Sequence, residues 1–246
     1  MPPTAEGRWT ATPTAASRSL TEWAAAFAQQ LLTRHGVVTR EVTSIEQIPG
    51  GFSTLYPVLR RMEETGRVRR GYFVGGLGAA QFAQPGAVDL LRGAREERDT
   101  PLAITLAATD PANPYGALLA WPDWTAASTE PRPQAVRASR SAGARVIVVD
   151  GRLTAWIGRG DRQMLLSLPA DEPDRSRVGR ALAGELVALA MRAPEGARGW
   201  LIEEINGGPA STDPAAGFLL ERGFAVTAMG LQLRVARRVA RQAEAT

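Results

Sequence analysis

The sequence has 246 residues, 44% of them hydrophobic and 22% charged, with a formal charge of +4, ordinary proportions for a chain that buries a core. All of its basic residues except His35 are arginine, lysine and cysteine are absent, and His35 is the single histidine. These absences exclude a P-loop, Schiff-base and thiol nucleophiles, disulfides, and zinc or iron–sulfur sites built on Cys and His, and no apolar run reaches the roughly 18 residues needed to span a bilayer.

Residues 1–14 carry Pro and Thr without periodicity and read as a flexible leader, and residues 15–95 are expected to form a first domain. Leu20, Trp23, Phe27 and Leu31 recur on one face of a predicted helix, and Ser19 with Glu22 has the spacing of a capping box. Gly36 ends that helix, with His35 in the last turn, where an imidazole favours the negative end of the helix dipole. Thr39 is placed to cap a short second helix with Val42 and Ile45 inward, before Pro49-Gly50-Gly51 breaks the chain. A third helix is predicted from about Ser53 to Thr65. Leu55, Leu59 and Met62 form its inner face, and Ser53, Thr54, Pro57, Arg60, Arg61 and Glu64 its outer face. The stretch RVRRGYFV at 67–74 reads as an extended basic-aromatic arm that turns at Gly75-Gly76 and returns towards Phe82. Three helices and a hairpin in this order make a winged helix, whose third helix enters a groove of nucleic acid while the wing touches the backbone. A further short helix is expected from Ala87 to Arg95.

Residues 96–235 change character. LAITLAA at 102–108 predicts a buried strand, DPANPYG supplies turn chemistry, and 120–143, rich in Pro, Ser, Thr and Arg, reads as a linker. RVIVV (145–149), an Asp150-Gly151 hairpin turn, LTAWIG (153–158) and QMLLSL (163–168) predict a meander. Val178, Leu182, Leu186 and Leu189 mark a helix packed on it. WLIEEIN (200–206) predicts one strand, and Asp213-Pro214 the N-cap and first residue of a helix that ends at Gly223. Two short strands near 224–235 follow, and residues 236–246 form an Arg-rich helical tail. The expected fold class is α+β: a winged-helix domain followed by a mixed α/β, partly barrel-like domain.

GRW at 7–9, HGVVTREV at 35–42, PGGFSTLYPVLRRMEETGRVRRGYFVGGLGAAQFAQPGAVDLLR at 49–92 and DPANPYGALLAWP at 110–122 resemble the C-terminal region of the bacterial large helicase-related (Lhr) family. The resemblance covers roughly residues 7–235. It implies a relation to superfamily-2 ATP-dependent helicases tied to DNA repair, which join an N-terminal motor core to a C-terminal region of tandem winged helices and a β-barrel-like module. In the family that region is associated with self-assembly, and its architecture looks like that of the alkylpurine-type winged-helix DNA glycosylases. None of the family's ATP-binding motifs matches this sequence. The chain is therefore expected to be a piece of a longer reading frame or the partner of a motor carried by a neighbouring chain. ATP and Mg would act only through that motor, and no cofactor or metal is expected here.

Residues 53–70 set five arginines against Glu63 and Glu64, and two more basic runs lie at 132–162 and after Gly230; such patches attract polyanions. The leading expectation is a module that binds DNA or RNA and helps the parent protein to oligomerise, in the cytoplasm at the nucleoid and away from membranes. Arg67, Arg69 and Arg70 would reach phosphates, and Ser53, Thr54, Arg60 and Arg61 the groove. Tyr56, Tyr72 or Phe73 would stack on an unpaired base, unless Tyr72 and Phe73 pack the wing's own core. A second expectation is a metal-independent glycosylase acting on uracil or a damaged base, in which a carboxylate stabilises an oxocarbenium-like sugar after base flipping. Its candidates are Asp110, Asp89, Gln81 and Gln84, although the Q-x-x-Q spacing differs from the Q-x-Q or Q-x-D pattern of the alkylpurine enzymes, and Asp110 before Pro111 is also a turn former. A third is a structural docking module that uses the meander's edge or the helix at 177–192.

Overall fold

The computed structural model describes residues 10–11, 19–78, 80–94, 98–124, 136–192 and 199–234. It divides the chain into two units, Met1–Arg95 and Glu96–Thr246. Most of the expected leader, the middle of the expected linker, Arg95 and the expected basic tail lie outside the described residues.

The first unit begins with α1 (Leu20–His35), whose capping box is complete: the Glu22 N–H donates to Ser19 Oγ at 3.3 Å and the Ser19 N–H to Glu22 Oε2 at 3.0 Å. Its buried face is Ala24, Ala28, Leu31 and Leu32. The expected face is thus corrected: Leu20 is exposed, while Trp23 and Phe27 are half-buried and lean on each other at 4.6 Å between ring centroids. The reason is the close approach of α3 (Gly51–Glu64), which packs on α1 and favours small alanines at the contact. Between them lie a two-residue strand, β1 (Val37–Val38), and α2 (Arg40–Ile45), capped by Thr39 Oγ1 accepting from Val42 N–H. Val42 is buried but Ile45 is 46% exposed, against expectation. The inward arc of this short helix is completed by Thr43, which hides its hydroxyl by donating to the Arg40 carbonyl at 2.7 Å, and that rotation turns Ile45 outward.

In α3, Phe52, Leu55, Leu59 and Met62 are buried. The chain then turns into β2 (Arg69–Gly71) and β3 (Gln81–Ala83), paired antiparallel with Arg70 opposite Phe82 and Gly71 opposite Gln81. β1 adds to the other side of β3, giving the sheet order β1-β3-β2. A last helix, α4 (Pro85–Gly93), starts on its proline, where the missing N–H costs nothing. Helix, strand, two helices and a hairpin complete a winged helix.

The second unit holds an open six-stranded sheet. Its strands are β4 (Ala103–Ala107), β5 (Arg145–Val149), β6 (Arg152–Ile157), β7 (Gln163–Leu166), β9 (Glu204–Ile205) and β10 (Gly208–Pro209), in the order β10-β9-β7-β6-β5-β4. A separate three-stranded sheet joins β11 (Phe224–Thr227), β12 (Gly230–Leu233) and β8 (Trp200–Ile202). Among the described residues neither sheet closes, so the barrel-like expectation is corrected to open sheets. The turn between β5 and β6 uses Asp150 and Gly151 at φ 46° and 81°, the left-handed pair of a type I′ hairpin. The long helix α5 (Asp174–Arg192) buries Val178, Leu182, Ala183 and Leu186 in the main core. A second cluster, around Trp124, Val146, Leu153 and Trp156, forms with the segments at 108–124 and 136–144.

Three further expectations are corrected here. The strand at 103–107 is an end strand, with Leu102 and Ile104 exposed, because among the described residues only β5 pairs with it. WLIEEIN is two strands in different sheets: β8 pairs with β12, whereas β9 pairs with β7 and β10, and the switch falls at Glu203, whose N–H donates to the Arg162 carbonyl at 2.8 Å. Asp213 closes a 3-10 turn (Ala210–Thr212), with Oδ1 accepting from Ala215 N–H, and α6 (Ala216–Leu220) begins only beyond it.

Candidate nucleic-acid interface

The amphipathic pattern of α3 puts its cations outside. Arg60 and Arg61 are both exposed and share one carboxylate: Glu64 Oε1 lies 3.5 Å from Arg60 Nε, and Oε2 3.1 Å from Arg61 Nη1. On the adjacent strand Arg70 Nε lies 3.2 Å from Glu63 Oε1. Arg67 Nη2 donates to Gln29 Oε1 of α1 at 3.2 Å. Arg69 is exposed and has no acidic partner among the described residues. The row is thus three arginines held by two glutamates, with Arg67 and Arg69 uncompensated. Ser53 is exposed, but the Thr54 hydroxyl is already donated to the Pro49 carbonyl at 3.0 Å, where it helps to start α3. Between α1 and α3 runs a groove of about 740 Å³, with Leu20, Ala24, Val58 and Met62 along it and Arg61 and Arg67 at its rim.

The aromatic candidates separate. Tyr56 is half-buried and packs beside core rings, 5.8 Å from Phe52 and 6.0 Å edge-on from Phe82. Phe73 is half-buried under Gly71, where an added Cβ would stand 2.9 Å from its ring. Tyr72 alone is exposed, at 65%, and its hydroxyl accepts from Gly76 N–H at 3.1 Å.

Of the four glycosylase candidates, Gln81, Asp89 and Asp110 have side chains engaged in local structure, and Gln84 is engaged through its backbone carbonyl. Gln81 is fully buried. Its Oε1 accepts from Phe73 N–H at 2.8 Å and Val74 N–H at 2.9 Å, and its Nε2 donates to the carbonyls of Val74 at 2.9 Å and Gly78 at 3.1 Å. That exhausts the amide. Gln84 is half-buried ahead of α4, its carbonyl accepting from the N–H groups of Ala87 and Val88. Asp89 is exposed and paired with Arg92 at 3.3 Å. Asp110 makes a turn: Oδ1 accepts from Ala112 N–H at 2.8 Å, and its carbonyl accepts from Arg140 Nη2 at 3.1 Å.

Two residues that sequence reasoning passed over matter here. Arg140 gathers the carbonyls of Thr109, Asp110, Asn113 and Tyr115, fixing the DPANPYG loop. Glu41 on α2 reaches the wing, with Oε1 accepting from Gly78 N–H at 3.2 Å. Burial opposes its charge, yet hydrogen bonds from Thr39, its own N–H and Gly78, with the nearby Arg40, hold its carboxyl below the ordinary value. No signal in the sequence links 41 to 78. His35 does sit in the last turn of α1, and it also pairs across to Glu46, 2.9 Å from Nε2, beside Arg34. Among the described residues no group of three His, Cys, Asp or Glu side chains comes together to hold a metal, and no helix is long and apolar enough to cross a membrane.

Comparison with known proteins places this geometry. The family description "Large helicase-related protein, winged-helix domain" matches residues 17–103, a span that includes α1 to α4 and the β2–β3 pair. A protein of Mycolicibacterium smegmatis described as "Lhr helicase/ probable uracil glycosylase" is 45% identical over 94% of this chain. An Escherichia coli protein described as "Lhr helicase/uracil glycosylase" is 35% identical over 86% of it. The chain spans only 15% and 13% of the lengths of these curated relatives. With the winged-helix topology and these matches in agreement, residues 17–103 match the winged-helix domain of large helicase-related (Lhr) proteins, and most of the chain is similar to one part of such proteins.

Proposed function

We propose that the chain is a non-motor module of an Lhr-type DNA-repair helicase that binds DNA or RNA through α3 and the wing. The observation that carries the reading is the exposed arginine row from Arg60 to Arg70, in which Arg67 and Arg69 have no acidic partner among the described residues. Arg60 and Arg61 sit on the helix that enters a groove in winged helices, and Arg69 and Arg70 lie on the arm of the wing. Titration of labelled single- and double-stranded DNA and of RNA at several salt concentrations, read by fluorescence anisotropy, tests this. The wild type should bind with a steep salt dependence. A folded variant with Arg60, Arg61, Arg69 and Arg70 changed to Ala should lose up to about 3.6 units of log–log slope on duplex DNA, at roughly 0.9 per phosphate contact. Equal binding by both proteins would remove the arginine row from the interface.

In this reading ATP and Mg²⁺ act through a helicase motor on the same or a neighbouring chain, and the module contributes to oligomeric assembly of the whole protein in the cytoplasm. A second reading, excision of uracil from DNA, is favoured by one observation: both relatives carry uracil glycosylase in their descriptions. The Gln81 amide is spent on the wing, Asp89 pairs with Arg92 and Asp110 Oδ1 accepts within its own turn, so the reading rests on the relatives' descriptions. Release of uracil from labelled strands by the chain alone decides it, and no release from either single strand or duplex ends it.

A further inference from the structure

We infer that Gln81 is the positioning residue of the nucleic-acid interface, its side-chain amide setting the wing in contact-ready shape before any ligand arrives. The inference rests on the nucleic-acid reading above and adds to it the group that makes the wing a surface rather than a loose loop. Residues 72–80 leave β2 and return to β3 with glycine at 75, 76 and 78, and a loop of that composition has a large ordering entropy to lose on contact. The strand ladder ends at the Gly71–Gln81 pair. Beyond it the Gln81 side chain takes the ladder's place. One end of the amide accepts from Phe73 and Val74 on the outgoing arm. The other donates to Val74 and to Gly78 on the return.

The side chain is fully buried and has each of these four partners, so any other rotamer strips the buried amide of its bonds and four part-buried backbone groups of theirs. Two outer ties complete the device: Tyr72 Oη accepts from Gly76 N–H, and Glu41 Oε1 accepts from Gly78 N–H and so fastens the return arm to α2. The wing's exposed ring, Tyr72, and its exposed Gly75-Gly76 backbone are thereby presented at fixed places beyond the end of β2. The chemistry also demands an amide: a glutamate would turn an acceptor towards the carbonyls of Val74 and Gly78, and a methionine would fill the space with none of the bonds.

The test uses the full chain and duplex DNA at fixed salt, with Gln81→Met as the variant that keeps side-chain volume, and thermal melting to establish that it folds. Binding should weaken by about tenfold, equivalent to one well-made contact. Tyr72→Ala should weaken the wild type but add little in the Gln81→Met background, whereas Arg61→Ala should cost the same in both. That pattern separates a wing held in place from a domain merely loosened. A folded Gln81→Met variant that binds as the wild type does, or full additivity with Tyr72→Ala, overturns the inference and leaves the nucleic-acid reading standing. A wild type that binds no nucleic acid overturns both. Should Gln81→Met fail to fold, hydrogen exchange on the unliganded wild type decides: the Phe73 and Val74 amides must be strongly protected, and exchange at the rate of an unstructured peptide refutes the staple.

Discussion

The arginine row can be tested by adding to it as well as by taking from it, and Glu64→Gln does so with one atom changed. Glu64 is the last residue of α3 and the shared partner of Arg60 and Arg61, at 3.5 and 3.1 Å, with the three side chains 47%, 64% and 76% exposed. The lost pairs cost little, about 0.3–0.5 kcal/mol each at most for exposed helix pairs. Removal of a negative charge from a helix C-terminus, where the dipole disfavours it, returns a comparable amount. The melting temperature should therefore move by no more than a few degrees, since about 1 kcal/mol corresponds to roughly 4–8 °C in a domain of this size.

Affinity should move the other way from an alanine scan. A carboxylate about 10 Å from a phosphate repels it by roughly 0.4 kcal/mol in water, halved by screening at 50 mM salt. Over about three phosphates its removal gains some 0.6 kcal/mol, close to threefold in affinity. If one freed arginine also finds a phosphate, the log–log salt slope steepens by about 0.9, so raising salt from 50 to 200 mM should weaken the variant about 3.5-fold more than the wild type. Anisotropy titrations at those two salt concentrations read both numbers. Unchanged or weaker binding at low salt, in a variant that melts normally, would refute the placement of Arg60 and Arg61 against nucleic acid.

Other outcomes follow from single contacts. The Glu46 carboxyl is held below its ordinary value near 4.5, first by the hydrogen bond from His35, against the opposing effect of burial, and then by Arg34. A lowered folded-state value means a stabilisation that is complete above the unfolded value and lost as pH falls through the folded one. The melting gap between wild type and Glu46→Gln should thus be full above about pH 5 and close in the acid range below the ordinary carboxylate value; a gap undiminished at the acid end would contradict the pairing. In α5, an added Cβ at Gly179 would stand 2.4 Å from the Phe218 ring, while one at Gly184 meets nothing within 4 Å. Gly179→Ala should destabilise by about 1–3 kcal/mol through overpacking, less the helix gain of about 1 kcal/mol, whereas Gly184→Ala should stabilise by up to that gain; chemical denaturation of both variants checks the contrast.

What could be read in the sequence was whatever is decided by neighbours in sequence. The Ser19–Glu22 cap, the inner face of α3, the Asp150-Gly151 turn and the α5 stripe are all local matters of period, cap or turn, and each stands where expected. The misread parts were decided at a distance. Spacing nominated Trp23 and Phe27 for the buried face of α1, but the approach of α3 selected Ala24 and Ala28, one position further on. β1 has only two residues, and nothing but its pairing with β3 makes it a strand. WLIEEIN carries no internal mark of its division, because the break is made by where β12 and β7 lie on either side of Glu203.

The site divides along the same line, and Gln81 shows why. A count of arginines locates a basic helix and arm without any coordinates, because excess charge survives any arrangement of the partners. A polar side chain in an apolar strand is ambiguous until its surroundings are known: QFAQ reads equally as a pair of hydrogen-bonding groups aimed at a base or as one buried amide in need of partners. Burial of Phe82 and Ala83 beside it indicates only that Gln81 lies against a core. The choice is made by a loop that comes back within 3.1 Å at Val74 and Gly78 and uses every donor and acceptor the amide has. An amide so used has nothing left with which to bind a substrate, and the same four bonds that remove Gln81 from catalysis give the wing its shape. The residue first weighed as chemistry is therefore most consequential as geometry: β2 holds Arg69 through its pairing with β3, and the Gln81 amide holds the arm beyond it, next to Tyr72.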